Sequence, residues 1–209
     1  MSLHYRHHDS RYSTVHLAFD IFQGIGIAAA TGIRPFLPPL AVGALAAGNV
    51  EIHFSHTDFS FLQSAPFLLA LLACVIVLAV VERRIPAERL ERGPGAIPIA
   101  AAAVALGALL FAGSLCRGGY AIWPGIVGGV LCAAVGLAAT RPLIQRSRAR
   151  LGTQAGLLAL LIEGTAVLFA VLSVLGPPIG VIGLAFLLWL LIAGRRRAGQ
   201  KYAGLRILR

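Results

Sequence analysis

One stretch near the N-terminus decides how this chain folds: Gly32-Ile33-Arg34-Pro35-Phe36-Leu37-Pro38-Pro39. It interrupts an apolar segment, residues 14–48, that is too long for one straight membrane crossing and too short for two, which need about 40 residues. Proline removes a backbone donor and clashes with the preceding turn, so no helix continues through the stretch. We predict a broken first span with a second, short piece near residues 39–47. Its broken-helix motif consists of Gly32, Pro35, Pro38 and Pro39.

The composition is that of a membrane protein. Of the 209 residues, 58% are apolar and 12% are charged, about half the charge of an average soluble domain. Several apolar runs of 18 or more residues match a hydrocarbon core of about 30 Å. A soluble enzyme, a disordered chain and a disulfide scaffold are excluded. We predict an all-α polytopic membrane bundle.

The remaining spans are predicted at 62–81, 95–114, 119–140, 151–175 and 178–193, which gives about six net crossings. Residues 1–13 form a cytoplasmic leader, 14–194 a single transmembrane domain and 195–209 a basic cytoplasmic tail. The domain divides into halves, 14–114 and 119–194, each beginning with a glycine-rich segment that contains proline. This division suggests a 3+3 inverted repeat, an arrangement typical of transporters.

Charge distribution predicts the topology. Most of the 18 Lys and Arg residues fall in four segments: the leader, residues 83–92, residues 141–150 and the tail. If the broken segment crosses once, all four lie on one side, as the positive-inside rule favours. We therefore expect a bacterial cytoplasmic (inner) membrane protein with both termini in the cytoplasm. The same distribution argues against nucleic acid as a partner and favours anionic lipid headgroups at the basic loops and tail.

Three charged residues inside the spans are candidates for a substrate or ion path. Glu163 lies at the centre of its segment, on a stripe of Gly and Ala that lets another helix approach, so we expect it to point into the bundle. Asp20 is expected about one turn inside the cytoplasmic end. Arg34, at the bend, is expected either to pair with Glu163 or bind an anionic group, or to extend to the outer headgroups. A purely structural role remains the alternative for each.

Other signals are weaker. His53, His56 and Asp58 lie in a polar loop that could hold a divalent cation, although the spacing matches no closed zinc motif. The three cysteines form no CxxC pair, and no cofactor motif is present, so we expect no cofactor and no catalytic residues. Segment 119–140 carries two ladders of small residues, which predict a homo-oligomer. The ladders are Gly125/Gly129/Ala133 and Gly128/Cys132/Gly136.

The run from Gly26 to Pro38 resembles the opening of an uncharacterised family of small bacterial membrane proteins, a domain of unknown function with a similar Gly-Leu-Arg-x-Phe-Leu-Pro stretch. The resemblance continues through Glu82-Arg83-Arg84-Ile85-Pro86 and Glu163. Where that family has an acid and a lysine before Ile-Pro, this chain has two arginines, which argues against an ionic role for that turn. The resemblance implies that Arg34 and Glu163 are signature positions, but it implies no activity.

Three functions remain open at this point. The first is a small transporter or channel with Glu163, Arg34 and Asp20 along a polar path. The second is a membrane scaffold or accessory subunit whose glycine-rich faces pack partner helices. The third is an intramembrane enzyme that modifies lipids, for which the sequence offers no positive sign.

Overall fold

The structure, a computed structural model, describes residues 6–52, 54, 57–84, 95–151 and 155–205. Within them it is helical, with seven α-helices and one 3₁₀ turn, Ser60–Gln63. The helices are α1 (Arg6–Ile33), α2 (Leu37–Ala47), α3 (Ala65–Arg84), α4 (Ala96–Arg117), α5 (Ile122–Leu151), α6 (Ala155–Leu175) and α7 (Pro177–Leu205). All except α2 are long and apolar enough to cross a membrane. The predicted polytopic bundle is confirmed, and the chain is a multi-pass membrane protein.

The first predicted span is broken where its prolines require. The first helix ends at Ile33, and α2 starts at Leu37 with prolines in its first turn. Proline is tolerated there because the first amides of a helix have no partner within the helix. The N–H of Leu40 donates to the Phe36 carbonyl at 3.1 Å, which begins the new helical turn.

The chain reverses at this break, so that α2 runs back beside α1. In α1, Asp20 pairs with Arg117 at the end of α4, whereas Arg34, just beyond α1, pairs with Glu82 near the end of α3. The loop after α2 returns to the level of Asp20, because Arg117 Nη1 donates a hydrogen bond to the backbone oxygen of Glu51 at 2.8 Å. We call the two ends of the bundle the Asp20 end and the Arg34 end.

This reversal corrects the predicted topology. The helices α1, α3, α5 and α7 run from the Asp20 end to the Arg34 end, so the start of α1 and the end of α7 lie at opposite ends. The single crossing with both termini on one side is therefore wrong. The charge argument weighted the two arginines of the leader as heavily as the larger clusters, whereas the positive-inside rule reflects a summed bias. Three basic segments still share one end, since they follow α3, α5 and α7.

The predicted 3+3 inverted repeat is not the arrangement of the described helices. A Cβ added to Gly32 of α1 would overlap the backbone of Ala133, and one added to Gly136 would overlap that of Ala29. The direction of the two helices follows from their contacts with α4. Gly24 meets Phe111 and Gly107 lies near Ala28, so α1 is antiparallel to α4. Gly125 meets Ala112 and Gly129 meets Ala108, so α5 is also antiparallel to α4, and α1 and α5 run in the same direction. Because α1 and α5 begin the two halves, the halves are not inverted relative to each other. Because α2 and the loop after it return the chain to the Asp20 end, each later helix runs, relative to α1, in the direction opposite to the one predicted.

The return to the Asp20 end is completed by a loop, since the 11 residues of α2 cover only about 16 Å. Asn49 and Glu51 take positive φ angles of 54° and 58°, which turn the loop inward. Ile52 and Phe54 behind them are fully buried. Irregular backbone is thus packed against protein, as it must be at membrane depth.

Glycines of α5 allow close contact with α4 and α1. A Cβ at Gly125 would lie 2.7 Å from the Cα of Ala112, and one at Gly129 would lie 2.6 Å from the Cα of Ala108. The second ladder contacts Phe111 through Gly128, and α1 through Gly136. The two ladders that predict a homo-oligomer are therefore used within one chain. The homo-oligomer stays a prediction without this support.

The least and the most hydropathic spans differ strongly in burial. The span in α1, the helix that contacts α2 and α4 to α7, is 56% buried, with a mean hydropathy of 1.2. The span in α3 is 6% buried, with a mean hydropathy of 2.7, and it packs mainly against α2 and the 3₁₀ turn. A central helix can carry polar groups because neighbouring helices pair them, whereas a peripheral helix faces lipid.

Candidate functional site

The reversal after α1 places Arg34 inside the bundle. The N–H of Arg34 still donates to the Ala30 carbonyl at 3.2 Å, so the helical hydrogen bonding of α1 extends to this residue. Pro35 has no N–H with which to continue it. The chain then turns into α2, and the Arg34 guanidinium lies between α3 and α6. The broken-helix motif thus positions a buried cation.

Arg34 faces two carboxylates from different helices. Its Nη1 donates a hydrogen bond to Glu82 Oε1 at 2.8 Å, and its Nη2 lies 3.8 Å from Glu163 Oε1. The exposed fractions of the side chains are 11% for Arg34, 19% for Glu82 and 28% for Glu163. Of the alternatives predicted for Arg34, the structure has the pairing with Glu163. We call these three residues the ion cluster.

The ion cluster is not fully satisfied. Two carboxylates face one guanidinium, so the cluster carries an excess negative charge when all three groups are ionised. Meanwhile Nε and Nη2 of Arg34 are buried and have no hydrogen-bond partner. A buried charged donor without a partner costs at least about 1–3 kcal/mol. The Arg34 guanidinium therefore has unused capacity for an acceptor.

A cavity of about 80 Å³ adjoins the ion cluster at the Arg34 end. That volume is sufficient for several water molecules. Polar side chains on its wall come from Arg34, Glu82, Thr140 and Arg141, and the other lining residues are apolar or Gly32. Arg141 is held by a hydrogen bond from its Nη2 to the Ala96 carbonyl at 3.1 Å. The cavity wall thus carries two cations and one carboxylate.

Glu163 points inward, as predicted, and it lies closer to the middle of its span, Leu157–Leu175, than to either end. Ala166 and Ala170, which follow it on the same stripe, are fully buried. Its partner Arg34 comes from the Arg34 end of the bundle. The earlier glycines of the stripe lie outside the residues whose side chains the structure describes.

Asp20 does not join the ion cluster. Asp20 was predicted near the cytoplasmic end, together with the basic loops. In the structure it lies at the opposite end of the bundle from those loops, because α1 runs from the Asp20 end toward the Arg34 end. There it pairs with Arg117, and its backbone oxygen accepts a hydrogen bond from Ser114 Oγ at 3.2 Å. One turn further along α1, Gln23 Nε2 donates to the Val174 carbonyl at 3.1 Å, and Gln23 Oε1 is buried without a partner. We call Asp20, Arg117 and Gln23 the distal polar cluster.

Sequence reasoning missed Glu82 as a site residue. The two arginines that follow it argued against an ionic role for this turn, yet Glu82 makes the shortest contact of the ion cluster. The usable signal was its place at the end of the apolar run of α3, where it is the first acid after 23 residues without charge, 59–81. Arg117 was not singled out from the sequence either, and the structure shows it paired with Asp20.

The proposed metal loop finds no support. His53 and His56 lie outside the described residues, while Asp58 is exposed in a turn. Among the residues that the structure does describe, no group of three or more His, Cys, Asp or Glu side chains could hold a metal ion.

Comparison with known proteins identifies a family. The family model described as "Domain of unknown function (DUF4126)" matches residues 21–197, which include the ion cluster, Gln23 and Arg117 of the distal polar cluster, and all six spans except the start of the first. The chain therefore belongs to this family. Comparisons with curated proteins and with solved structures found no match.

Proposed function

We propose that this member of the DUF4126 family is a small membrane transporter in which the ion cluster binds the transported solute or its coupling proton. The observation that supports this proposal is the partly buried Arg34 side chain, which lines a cavity and whose Nε and Nη2 make no hydrogen bond. Charged groups within membrane spans are costly, and they commonly mark substrate and ion pathways.

The two carboxylates hold Arg34 unequally, which makes the ion cluster suitable for exchanging a proton or binding an anion. Glu82 holds Arg34 through a hydrogen bond, whereas Glu163 at 3.8 Å does not. Protonation of Glu163 would remove its attraction for Nη2 and leave that atom to an incoming anion or water molecule. Glu163 is also the most exposed of the three side chains. We assign it the proton-exchanging role and Arg34 the binding role.

The distal polar cluster then serves as the closed end of the path. Asp20 and Arg117 join α1 to α4, and Arg117 also holds the Glu51 backbone of the loop after α2. Access from the Asp20 end requires these contacts to separate, and access from the Arg34 end does not. Because three basic segments lie at the Arg34 end, we assign that end to the cytoplasm of a bacterial inner membrane.

A flux measurement tests the proposal. Purified protein is reconstituted in vesicles that contain a pH-sensitive dye, and a potassium gradient with valinomycin imposes the membrane potential. We expect wild type to carry protons inward, and Glu163→Gln to reduce the initial rate at least tenfold with normal yield and monodispersity. Glu51→Gln is the matched control, since its side chain is exposed and outside the ion cluster, and we expect it to retain the wild-type rate.

Two outcomes would reject proton-linked transport: a wild-type rate no faster than that of empty vesicles, or an unchanged rate in Glu163→Gln. Glu163→Leu further distinguishes a packing role of Glu163 from a proton-exchanging role. Its branched apolar side chain crowds a small-residue interface, so we expect both yield and flux to fall. Loss of yield in Glu163→Gln as well would identify Glu163 as a packing residue.

The scaffold is the second candidate, and one observation favours it. The span of α3 is almost entirely unburied within the chain, which leaves a long apolar helix face available to a partner helix. Lipid also covers such a face, so the observation distinguishes the two functions only together with the flux result. Copurification of one stoichiometric membrane partner, together with the absence of flux, would support the scaffold.

A further inference from the structure

A second cavity, larger and almost wholly apolar, lies between α5, α6 and α7 toward the Arg34 end. Its volume is about 410 Å³. Apolar side chains from all three helices form its walls, Gly183 and Phe169 lie in contact within it, and no acidic residue lines it. We call this cavity the lipid groove. It is separate from the ion cluster, because Glu163 and Arg34 do not line it.

We propose that the lipid groove binds one anionic phospholipid, with an acyl chain between the helices and the headgroup at the basic end of α7. The inference does not depend on the proposed transport, because it concerns other residues.

The length of the groove suits an acyl chain. The lining positions on α6 run from Leu158 to Phe169, which is about 16 Å along the helix. That length is about half of a hydrocarbon core of about 30 Å, the depth that one acyl chain reaches from a headgroup at the membrane surface.

The charge pattern favours an anionic headgroup. On α7, Gly183, Leu187 and Leu190 line the groove, and the same face continues at spacings of three and four to Gly194, Arg197 and Lys201. A Cβ at Gly194 would meet nothing within 4 Å, so this continuation is open near the groove. Two basic positions thus continue the helical spacing of the apolar wall. Each basic residue near a surface strengthens binding to anionic lipid about fivefold.

Lipid in the groove would contact the wall of the polar cavity. Ile33, Thr140 and Ile144 line both cavities. Because Ile33 directly precedes Arg34, the acyl chain would brace the last turn of α1 before the reversal. The site is thus positioned to affect the ion cluster without contacting it.

Native mass spectrometry of the full-length protein tests the site. The protein is delipidated in mild detergent and titrated with phosphatidylglycerol or phosphatidylcholine of the same acyl composition. We expect one phosphatidylglycerol to be retained, at least tenfold more tightly than phosphatidylcholine. Thr165→Phe fills the groove and should weaken this binding at least tenfold. Leu168→Phe places the same ring on the exposed face of α6 and should leave the binding unchanged.

A second pair of variants tests the headgroup contact without altering the groove. Arg197→Gln with Lys201→Gln should reduce the preference for phosphatidylglycerol at least tenfold, whereas Arg195→Gln with Arg196→Gln removes equal charge from other faces of α7 and should not. Equal retention of the two lipids by wild type would overturn the proposal, as would unchanged binding in Thr165→Phe. A dimer that dissociates in Thr165→Phe would assign the groove to a second copy and would also overturn it.

Discussion

At Arg34, one guanidinium is shared unequally between two carboxylates, and the inequality gives each partner a different effect on stability. Glu82 accepts a hydrogen bond at 2.8 Å, while Glu163 is 3.8 Å away. We expect Glu82→Gln to destabilise the protein by about 1.5–3 kcal/mol, the usual contribution of a hydrogen bond to a charged group. Glu163→Gln should cost less than about 1 kcal/mol. Thermal unfolding of the two purified variants measures the difference, and equal shifts would contradict it.

Asp20 and Arg117 provide a second test at this scale. Arg117→Leu leaves the Asp20 carboxylate, only 7% exposed, without its cation, so we expect a loss of about 3 kcal/mol. Adding Asp20→Asn should restore part of that loss, because no unpaired charge then remains buried. Unfolding midpoints of wild type, the single variant and the double variant give the comparison. A double variant less stable than Arg117→Leu would mean that Asp20 has another essential partner.

At these positions the sequence predicted which residues are unusual better than it predicted their partners. Glu163 and Arg34 were identifiable because a charge within an apolar run needs compensation. Glu82 was not, since it borders a basic loop and resembles an ordinary end-of-span residue. Its partner is 48 positions away, and pairing at that distance depends on the direction of α2, which local sequence does not specify.

Between elements, glycines set the distance between α1 and its neighbours. A Cβ at Gly32 would overlap the Ala133 carbonyl of α5, whose backbone cannot move independently. We expect Gly32→Ala to separate the helices and destabilise the protein by about 1–3 kcal/mol.

Gly164→Ala is the matched control on α6, where the new methyl group would meet nothing within 4 Å. Because alanine is the better helix former, that variant should be neutral or more stable by up to about 1 kcal/mol. Unfolding of Gly32→Ala and Gly164→Ala in the same detergent measures the difference in stability. Equal losses would mean that helix propensity, and not the α1–α5 contact, governs stability.

The direction of α2 shows why topology was harder to predict than helix content. The prolines indicated a break, and the break is present, but a break permits either continuation or reversal. Reversal requires only 11 helical residues here because the buried loop around Ile52 and Phe54 supplies the remaining distance. The polar residues of this loop predict a solvated connection, so the sequence does not reveal that Ile52 and Phe54 are buried.

For the whole molecule, the placement of the start of α1 and the end of α7 at opposite ends of the bundle is directly testable. In a background without native cysteines, Ser60→Cys at the Asp20 end should react with an impermeant maleimide added to intact cells. Arg84→Cys at the Arg34 end should react only after lysis. Ser2→Cys reports the leader, and we expect it to be labelled from outside. Labelling of Ser2→Cys only after lysis would favour the single crossing of the first segment.

The oligomeric state can be measured independently of function. We retain the prediction of a homo-oligomer, now without the small-residue ladders of α5, since the weakly buried α3 leaves a further helix face open. Mass measurement in mild detergent and in nanodiscs should show more than one copy. A monomer under both conditions would refute the prediction.

The central position of α1 has a consequence for how the protein is made. This helix precedes the other spans in the chain and is the least apolar of them, yet the partners of its polar groups and of Arg34 belong to α3, α4 and α6. Until α6 leaves the ribosome, Gln23 lacks the Val174 carbonyl, and Arg34 lacks Glu163. A nascent chain that stops before α6 therefore holds uncompensated polar groups in the bilayer, a feature by which membrane quality control can distinguish an incomplete product from the finished protein.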